Sequence, residues 1–126
     1  MIALASDHGG YELKCRLIRH LEERGLSYHD YGCYSTESCD YPDFAKQAAK
    51  AVADGECEKG VVICTTGIGI SIAANKARLH NDANMLAMGA GIVGPNLALE
   101  ILDVFLDTPF SEEEKHARRV AKLEEC

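Results

Sequence analysis

Lys59-Gly60-Val61-Val62-Ile63-Cys64-Thr65-Thr66-Gly67-Ile68-Gly69-Ile70-Ser71-Ile72-Ala73-Ala74-Asn75-Lys76 is the stretch on which the fold turns. Gly60 to Ile63 is a short apolar, β-branched run behind a glycine, the pattern of a buried strand that stops at Cys64. Thr65 to Gly69 follow as a loop of hydroxyls and glycines. Ser71 to Asn75 then begin a helix whose Ile72 and alanines can lie close to a sheet. Strand, Gly-rich turn and helix N-terminus together make an anion site: N–H groups point outward, no Cβ blocks a ligand, and the helix dipole favours negative charge. Cys64 stands at its mouth, where a thiol ionises more easily. Gly-rich turns after strands often bind nothing, so the specific alternatives matter. A Walker A loop needs Lys-Ser or Lys-Thr after its last glycine, where Ile70-Ser71 stands. A dinucleotide fingerprint needs a third small residue where Ile72 stands, and no acidic residue marks the end of a following strand. A smaller anion, such as a sugar phosphate or an enediolate, suits the turn better.

The N-terminal stretch repeats the unit. Ile2 to Ala5 is a strand, Ser6-Asp7-His8-Gly9-Gly10 a turn, and Leu13, Leu17 and Leu21 the inner stripe of a helix. On that helix Lys14, Arg16, Arg19, Glu22 and Glu23 are expected to face water, and Gly25 to stop it. Leu26 to Tyr31 reads as a polar strand. Asp40-Tyr41-Pro42-Asp43 opens a helix with Phe44, Ala48 and Val52 inside, which Gly55 ends. Asn84 to Gly89 is a short strand. Gly94-Pro95 starts a strongly apolar helix whose Leu97, Ile101, Val104 and Phe105 suggest burial on two sides, one of them against a second subunit. A capping box at Ser111 to Glu114 signals a last helix with Lys115, Arg118, Arg119 and Lys122 on one side, a side that spacing alone reads as solvated. Alternating strands and helices give an α/β fold with a mainly parallel sheet.

The 126 residues make one domain with room for a core, and their net charge of −7 argues against a nucleic-acid footprint. No apolar run approaches a membrane span, and the N-terminus lacks a basic leader before an apolar stretch. The six cysteines form no CxxC pair and are irregularly spaced, so free thiols in a reducing cytoplasm are expected, and no metal site.

Ligands of open parallel sheets bind beyond the strand C-termini. That rule gathers Asp7 and His8 with Cys64 to Ser71. His80 and Asn81 precede the next strand, so a second subunit is the simpler source for them. The motifs Ser6-Asp7-His8-Gly9-Gly10, Asp40-Tyr41-Pro42-Asp43, Cys64 to Lys76, His80-Asn81-Asp82-Ala83-Asn84 and Lys115 to Val120 resemble the series of the ribose-5-phosphate isomerase B family, which includes the galactose-6-phosphate isomerase subunits. The resemblance runs from the first residue almost to the last. It implies a Rossmann-like three-layer α/β/α sandwich that dimerises and interconverts a phosphorylated aldose and ketose without metal or organic cofactor. Ribose 5-phosphate and ribulose 5-phosphate lead, with a hexose 6-phosphate or a non-catalytic phosphosugar-binding module as alternatives. The resemblance makes Cys64, Thr66 and His80 catalytic. Cys64 is the base between C1 and C2, and His80 opens the furanose ring with Asn81 assisting. Thr65, Thr66, Gly67, Ile68, Gly69 and Ser71 hold the enediolate oxygens. Asp7, His8 and Tyr41 bind substrate, and Lys115 and Arg119 bind phosphate. Such chemistry needs a base with a pKa near the working pH and preorganised N–H donors for the oxyanion.

Four departures from the family pattern stand out. Thr65 replaces the usual Gly, Gly91 a frequent Arg, and Lys115 a common Arg, which exchanges a fork for a point charge. Between Lys76 and Ala77 the family has roughly twenty more residues, about one strand and the crossover it needs. A segment left out there is expected rather than a true deletion, because losing a central strand would expose core on both sides.

Overall fold

The computed structural model describes residues 1–78, 84–109 and 112–123. In chain order the elements are β1 (Ile2–Ser6), a 3₁₀ turn (His8–Gly10), α1 (Tyr11–Glu23), β2 (Tyr28–Asp30), α2 (Tyr41–Ala53), β3 (Lys59–Cys64), α3 (Ile68–Arg78), β4 (Met85–Gly89), α4 (Pro95–Asp107) and α5 (Glu114–Leu123). The four strands form one parallel sheet in the order β2-β1-β3-β4. α2 and α3 cover one face through Ala45, Ala48, Ala49, Ile70 and Ala74. α1 and α4 cover the other through Leu13, Leu17, Leu21, Ala98 and Leu102. This is the expected three-layer sandwich. β1 and nearly all of β3 are buried, as strands covered on both faces are. Among the described residues no helix is long and apolar enough to cross a membrane.

The chain winds outward from β1 to β2 and then returns past β1 to β3. The sheet therefore changes direction between β1 and β3, and a crevice opens beyond their C-terminal ends. Asp7 follows one strand and Thr65 the other, and the Asp7 amide donates to the Ile63 carbonyl at 3.1 Å across the gap.

Several elements differ from the sequence reading. β4 pairs directly with β3, from Gly60 opposite Met85 to Cys64 opposite Gly89. Among the described residues, α3 is the element that lies between β3 and β4 in the chain. α3 starts at Ile68, not Ser71, and β2 is only three residues long. Lys14, expected in water, is fully buried. Its ammonium donates to Asp30 Oδ1 at 2.6 Å and to the Cys33 carbonyl, and lies over the Tyr11 and Tyr34 rings. Burying a lysine is tolerable only with such partners. They bind α1 to the loop that follows β2. Gly25, at φ +70°, closes α1 as expected: its amide donates to Glu22 O and that of Leu26 to Leu21 O. α4 turns Ala98 and Leu102 inward and leaves Leu97 and Val104 exposed. Every described side chain of α5 is exposed, including Val120 and Leu123. The capping box at Ser111 and the pair His80 and Asn81 lie outside the described residues.

Candidate active site

Cys64 ends β3 and is buried, with its backbone bound to the strand beside it: the Ala90 amide donates to the Cys64 carbonyl at 2.7 Å. The chain then turns back on itself. Gly67 adopts φ +80°, a conformation that strains any other residue, and this directs its N–H onto the Cys64 sulfur at 3.1 Å. The Thr66 hydroxyl accepts the Ile68 N–H at 3.3 Å. α3 begins there, so Gly69, Ile70 and Ser71 form its first turn; the amides of Gly69 and Ile70 precede the helix's own i to i−4 bonding, while that of Ser71 donates to the Gly67 carbonyl at 3.3 Å. The loop thus presents a thiol beside a set of outward N–H groups at the positive end of a helix.

Tyr41 and Gly69 are in contact: a Cβ on Gly69 would lie 2.7 Å from Tyr41 Cζ. The tyrosine stands at the start of α2, partly exposed, against the first turn of α3. Across the crevice Asp7 is buried and spends its carboxylate on its own turn, accepting from the Gly10 amide at 3.1 Å. His8 is half-buried, and its Nδ1 accepts the Cys39 amide at 3.2 Å. In the neutral ring that contact leaves the proton on Nε2.

The structure thus groups Asp7, His8, Tyr41 and the Cys64–Ser71 loop at one end of the sheet. Lys115 and Arg119 are exposed on α5, and Lys115 pairs with Glu113 at 3.5 Å. Beside the loop, between the first turns of α1 and α4, a cavity of about 370 Å³ is lined by Gly9, Glu12, Arg16 and Ala90 among others.

Two contributors escaped the sequence reading. Cys39 holds His8 by a backbone amide, which no side-chain pattern announces. Gly9 and Gly91 flank Thr65: a Cβ at residue 9 would lie 2.1 Å from Thr65 Oγ1, and one at residue 91 would lie 3.1 Å from Thr65 Cγ2. The threonine in place of glycine and the glycine in place of arginine are therefore neighbours, and the second departure makes room for the first. Gly9→Ala is expected to cost about 1–3 kcal/mol by overpacking. Combined with Thr65→Gly it should cost much less, which denaturant midpoints of the double-mutant cycle will read. Equal penalties in both backgrounds would deny the contact.

A thiol, a half-buried imidazole and helix-terminal amides thus stand together at the switch point of a parallel sheet. The profile of the Ribose/Galactose Isomerase family matches residues 2–78 and 76–123. Ribose-5-phosphate isomerase B of Escherichia coli is 43% identical over 139 residues, covering 97% of this chain and 93% of the relative. The Clostridium thermocellum ribose-5-phosphate isomerase B structure is 46% identical, with a TM-score of 0.89 over 98% of this chain and 95% of that one. That of Mycoplasma genitalium with bound ribulose-5-phosphate is 34% identical, with a TM-score of 0.85 over 98% and 93%. The chain belongs to the ribose/galactose isomerase family.

Proposed function

We propose that this chain interconverts ribose 5-phosphate and ribulose 5-phosphate, with Cys64 as the base that carries a proton between C1 and C2. The Gly67 N–H on the Cys64 sulfur is the observation that supports it most directly. That contact puts the thiol at the same turn whose amides face a developing enediolate. In the forward direction Cys64 takes the C2 proton of the open-chain aldose, and the negative charge spreads over O1 and O2. The first-turn amides of α3 meet that charge without reorganising. Thr66 accepts the Ile68 N–H, so its own hydroxyl hydrogen remains to be donated to a substrate oxygen. Return of the proton to C1 completes the ketose, and the hydrogen never leaves the substrate and its base. His8 offers Nε2–H to the substrate, and Asp7 and Tyr41 frame the pocket. On the family pattern we assign ring opening to His80 with Asn81. His80→Asn should then slow single turnovers begun from cyclic ribose 5-phosphate more than those begun from ribulose 5-phosphate.

The protein acts as a cytoplasmic homodimer in this reading. Its described cysteines are free thiols. The outer side of α4 lines an apolar groove of about 400 Å³ at Leu97, Ile101 and Val104, and α5 exposes Val120 and Leu123. We assign phosphate binding to Lys115 and Arg119 of the partner subunit's α5. We also assign a further segment to the position between Lys76 and Ala77. The alignment with the Escherichia coli relative is longer than this chain, and the family profile matches in two pieces meeting at residues 76–78. Because β4 already pairs with β3, such a segment extends the sheet beyond β4 or covers a face. The intact mass of the protein from its source, set against 13.7 kDa, decides this.

Assay of the purified protein on pentose and hexose phosphates tests the activity. Ribulose 5-phosphate formation from ribose 5-phosphate should exceed turnover of allose or galactose 6-phosphate. Faster hexose turnover would shift the substrate, and no turnover with retained binding would leave a phosphosugar-binding module.

A further inference from the structure

Lys14 is buried where stability does not call for a lysine. Its side chain is fully covered, and its ammonium meets Asp30 Oδ1 at 2.6 Å, the Cys33 carbonyl, and the rings of Tyr11 and Tyr34 at 5.6 and 5.4 Å from their centroids. Replacing a buried ion pair by apolar side chains is often neutral or stabilising. What the ammonium adds is geometry, because it draws two points of one loop onto α1. Asp30 ends β2, and the same Oδ1 accepts the Gly32 amide at 2.9 Å. Gly32 and Cys33 are stitched to Ser6, at the end of β1, by bonds of 2.7 and 2.8 Å. Beyond them residues 34–38 are all exposed. Among the described residues, the hydrogen bonds of this segment stay within the loop and β2. The Cys33 thiol donates to the Ser35 carbonyl at 3.3 Å, the Ser35 hydroxyl accepts the Glu37 amide at 3.3 Å, and the Tyr34 hydroxyl donates to the Asp30 carbonyl at 3.1 Å. At the far end the Cys39 amide donates to His8 Nδ1 at 3.2 Å.

We propose that Lys14 is a positioning residue for the isomerisation: by holding the turn from Asp30 to Cys33 it sets where Cys39 presents its amide, and so fixes the orientation and tautomer of His8. Lys14 lies inside the fold and acts through the loop alone. The His8 ring accepts the Cys39 N–H only with Nδ1 bare, which puts its proton on Nε2, the nitrogen that the proposed mechanism offers to the substrate. Without the ammonium, the Cys33 carbonyl loses a donor and the Tyr34 ring loses its cation. The exposed segment between Cys33 and Cys39 then has no polar anchor on α1. Its end drifts from His8, and the ring is free to take the other tautomer. The effect on turnover rests on the isomerase reading; the state of the His8 ring does not.

The test compares the full chain with Lys14→Met and with Lys14→Met combined with Asp30→Asn. The second leaves no carboxylate without its partner, should the first fold poorly. Long-range nitrogen–proton NMR in mildly alkaline buffer, where imidazole is neutral, reads the His8 tautomer without substrate. The wild type should show the Nε2–H ring alone, and the variants a mixture of both tautomers. KM for ribose 5-phosphate should rise roughly tenfold, as when a histidine loses its orienting partner, while kcat changes far less because Cys64 carries the proton. In a His8→Ala background the same substitutions should add little to KM, since the two losses then share one group. The proposal is overturned if the variants lose only denaturant resistance while KM and the His8 signals stay put, if the signals change and KM does not, or if the KM effect persists in full without His8. An Nδ1–H ring in the wild type would overturn it with no variant needed. A mixed ring in the variants of a chain that isomerises nothing would uphold the positioning of His8 and remove the isomerase reading.

Discussion

Cys64→Ala is expected to lower kcat on the order of hundredfold or more, the loss that follows removal of a general base, while substrate still binds. The Gly67 N–H loses its acceptor in this variant, but the amides at the start of α3, to which the proposed mechanism gives the substrate oxygens, do not depend on the thiol. KM should therefore change far less than kcat. Iodoacetamide should inactivate the wild type, and ribose 5-phosphate should slow that reaction, since the substrate covers the buried sulfur. Near-normal turnover by Cys64→Ala would remove the cysteine from the chemistry and leave His8 as the nearest proton carrier on the crevice.

Arg119→Ala should raise KM by the loss of a charged hydrogen bond to phosphate, worth roughly 1.5–3 kcal/mol, so that it is nearly inactive at low substrate. Mixed with Cys64→Ala it should regain about a quarter of wild-type activity, because half of randomly paired dimers are hybrids and each hybrid has one intact site. The reasoning rests on α5. Its described side chains are exposed, apolar Val120 and Leu123 among them. Hybrids that form without regaining activity would put Arg119 and Cys64 in one chain's site. Normal substrate binding by Arg119→Ala would take Arg119 out of the phosphate site, leaving Arg16, which lines the cavity beside Gly9, as the cation to test.

What could be read from the sequence was local. β3, its glycine turn and α3 follow one another within twenty residues, and their periodicity and glycines declare them. The alternation of units gave the parallel sheet, and the rule of strand C-termini brought Asp7, His8 and Cys64 together. The loop end was harder: Ile68 and Gly69 read as loop because glycine is a poor helix former, yet Gly67 already completes the turn. Contacts between distant segments carried no signal. Lys14 sits on α1 beside leucines like any solvated lysine, and only partners distant in sequence, Asp30 on β2 and the Cys33 carbonyl beyond it, explain its burial. Tyr41 and Gly69 touch across 28 positions of sequence, and no periodicity marks the pair.

The alanines of α2 have a consequence for tolerance to change. Ala45, Ala48 and Ala49 are fully buried and belong to the same packed cluster as Ile70 and Ala74 of α3. Small side chains there set the clearance between two helices whose first turns meet at Tyr41 and Gly69. A larger residue at Ala48 would touch no substrate, yet it would act as a wedge, tilting α3 about its contact with the tyrosine. The amides at its tip would swing relative to the sulfur on β3, which is held in the sheet and cannot follow. Substitutions in this seam should therefore register first as lost catalytic alignment in a folded protein, ahead of any loss of the fold itself.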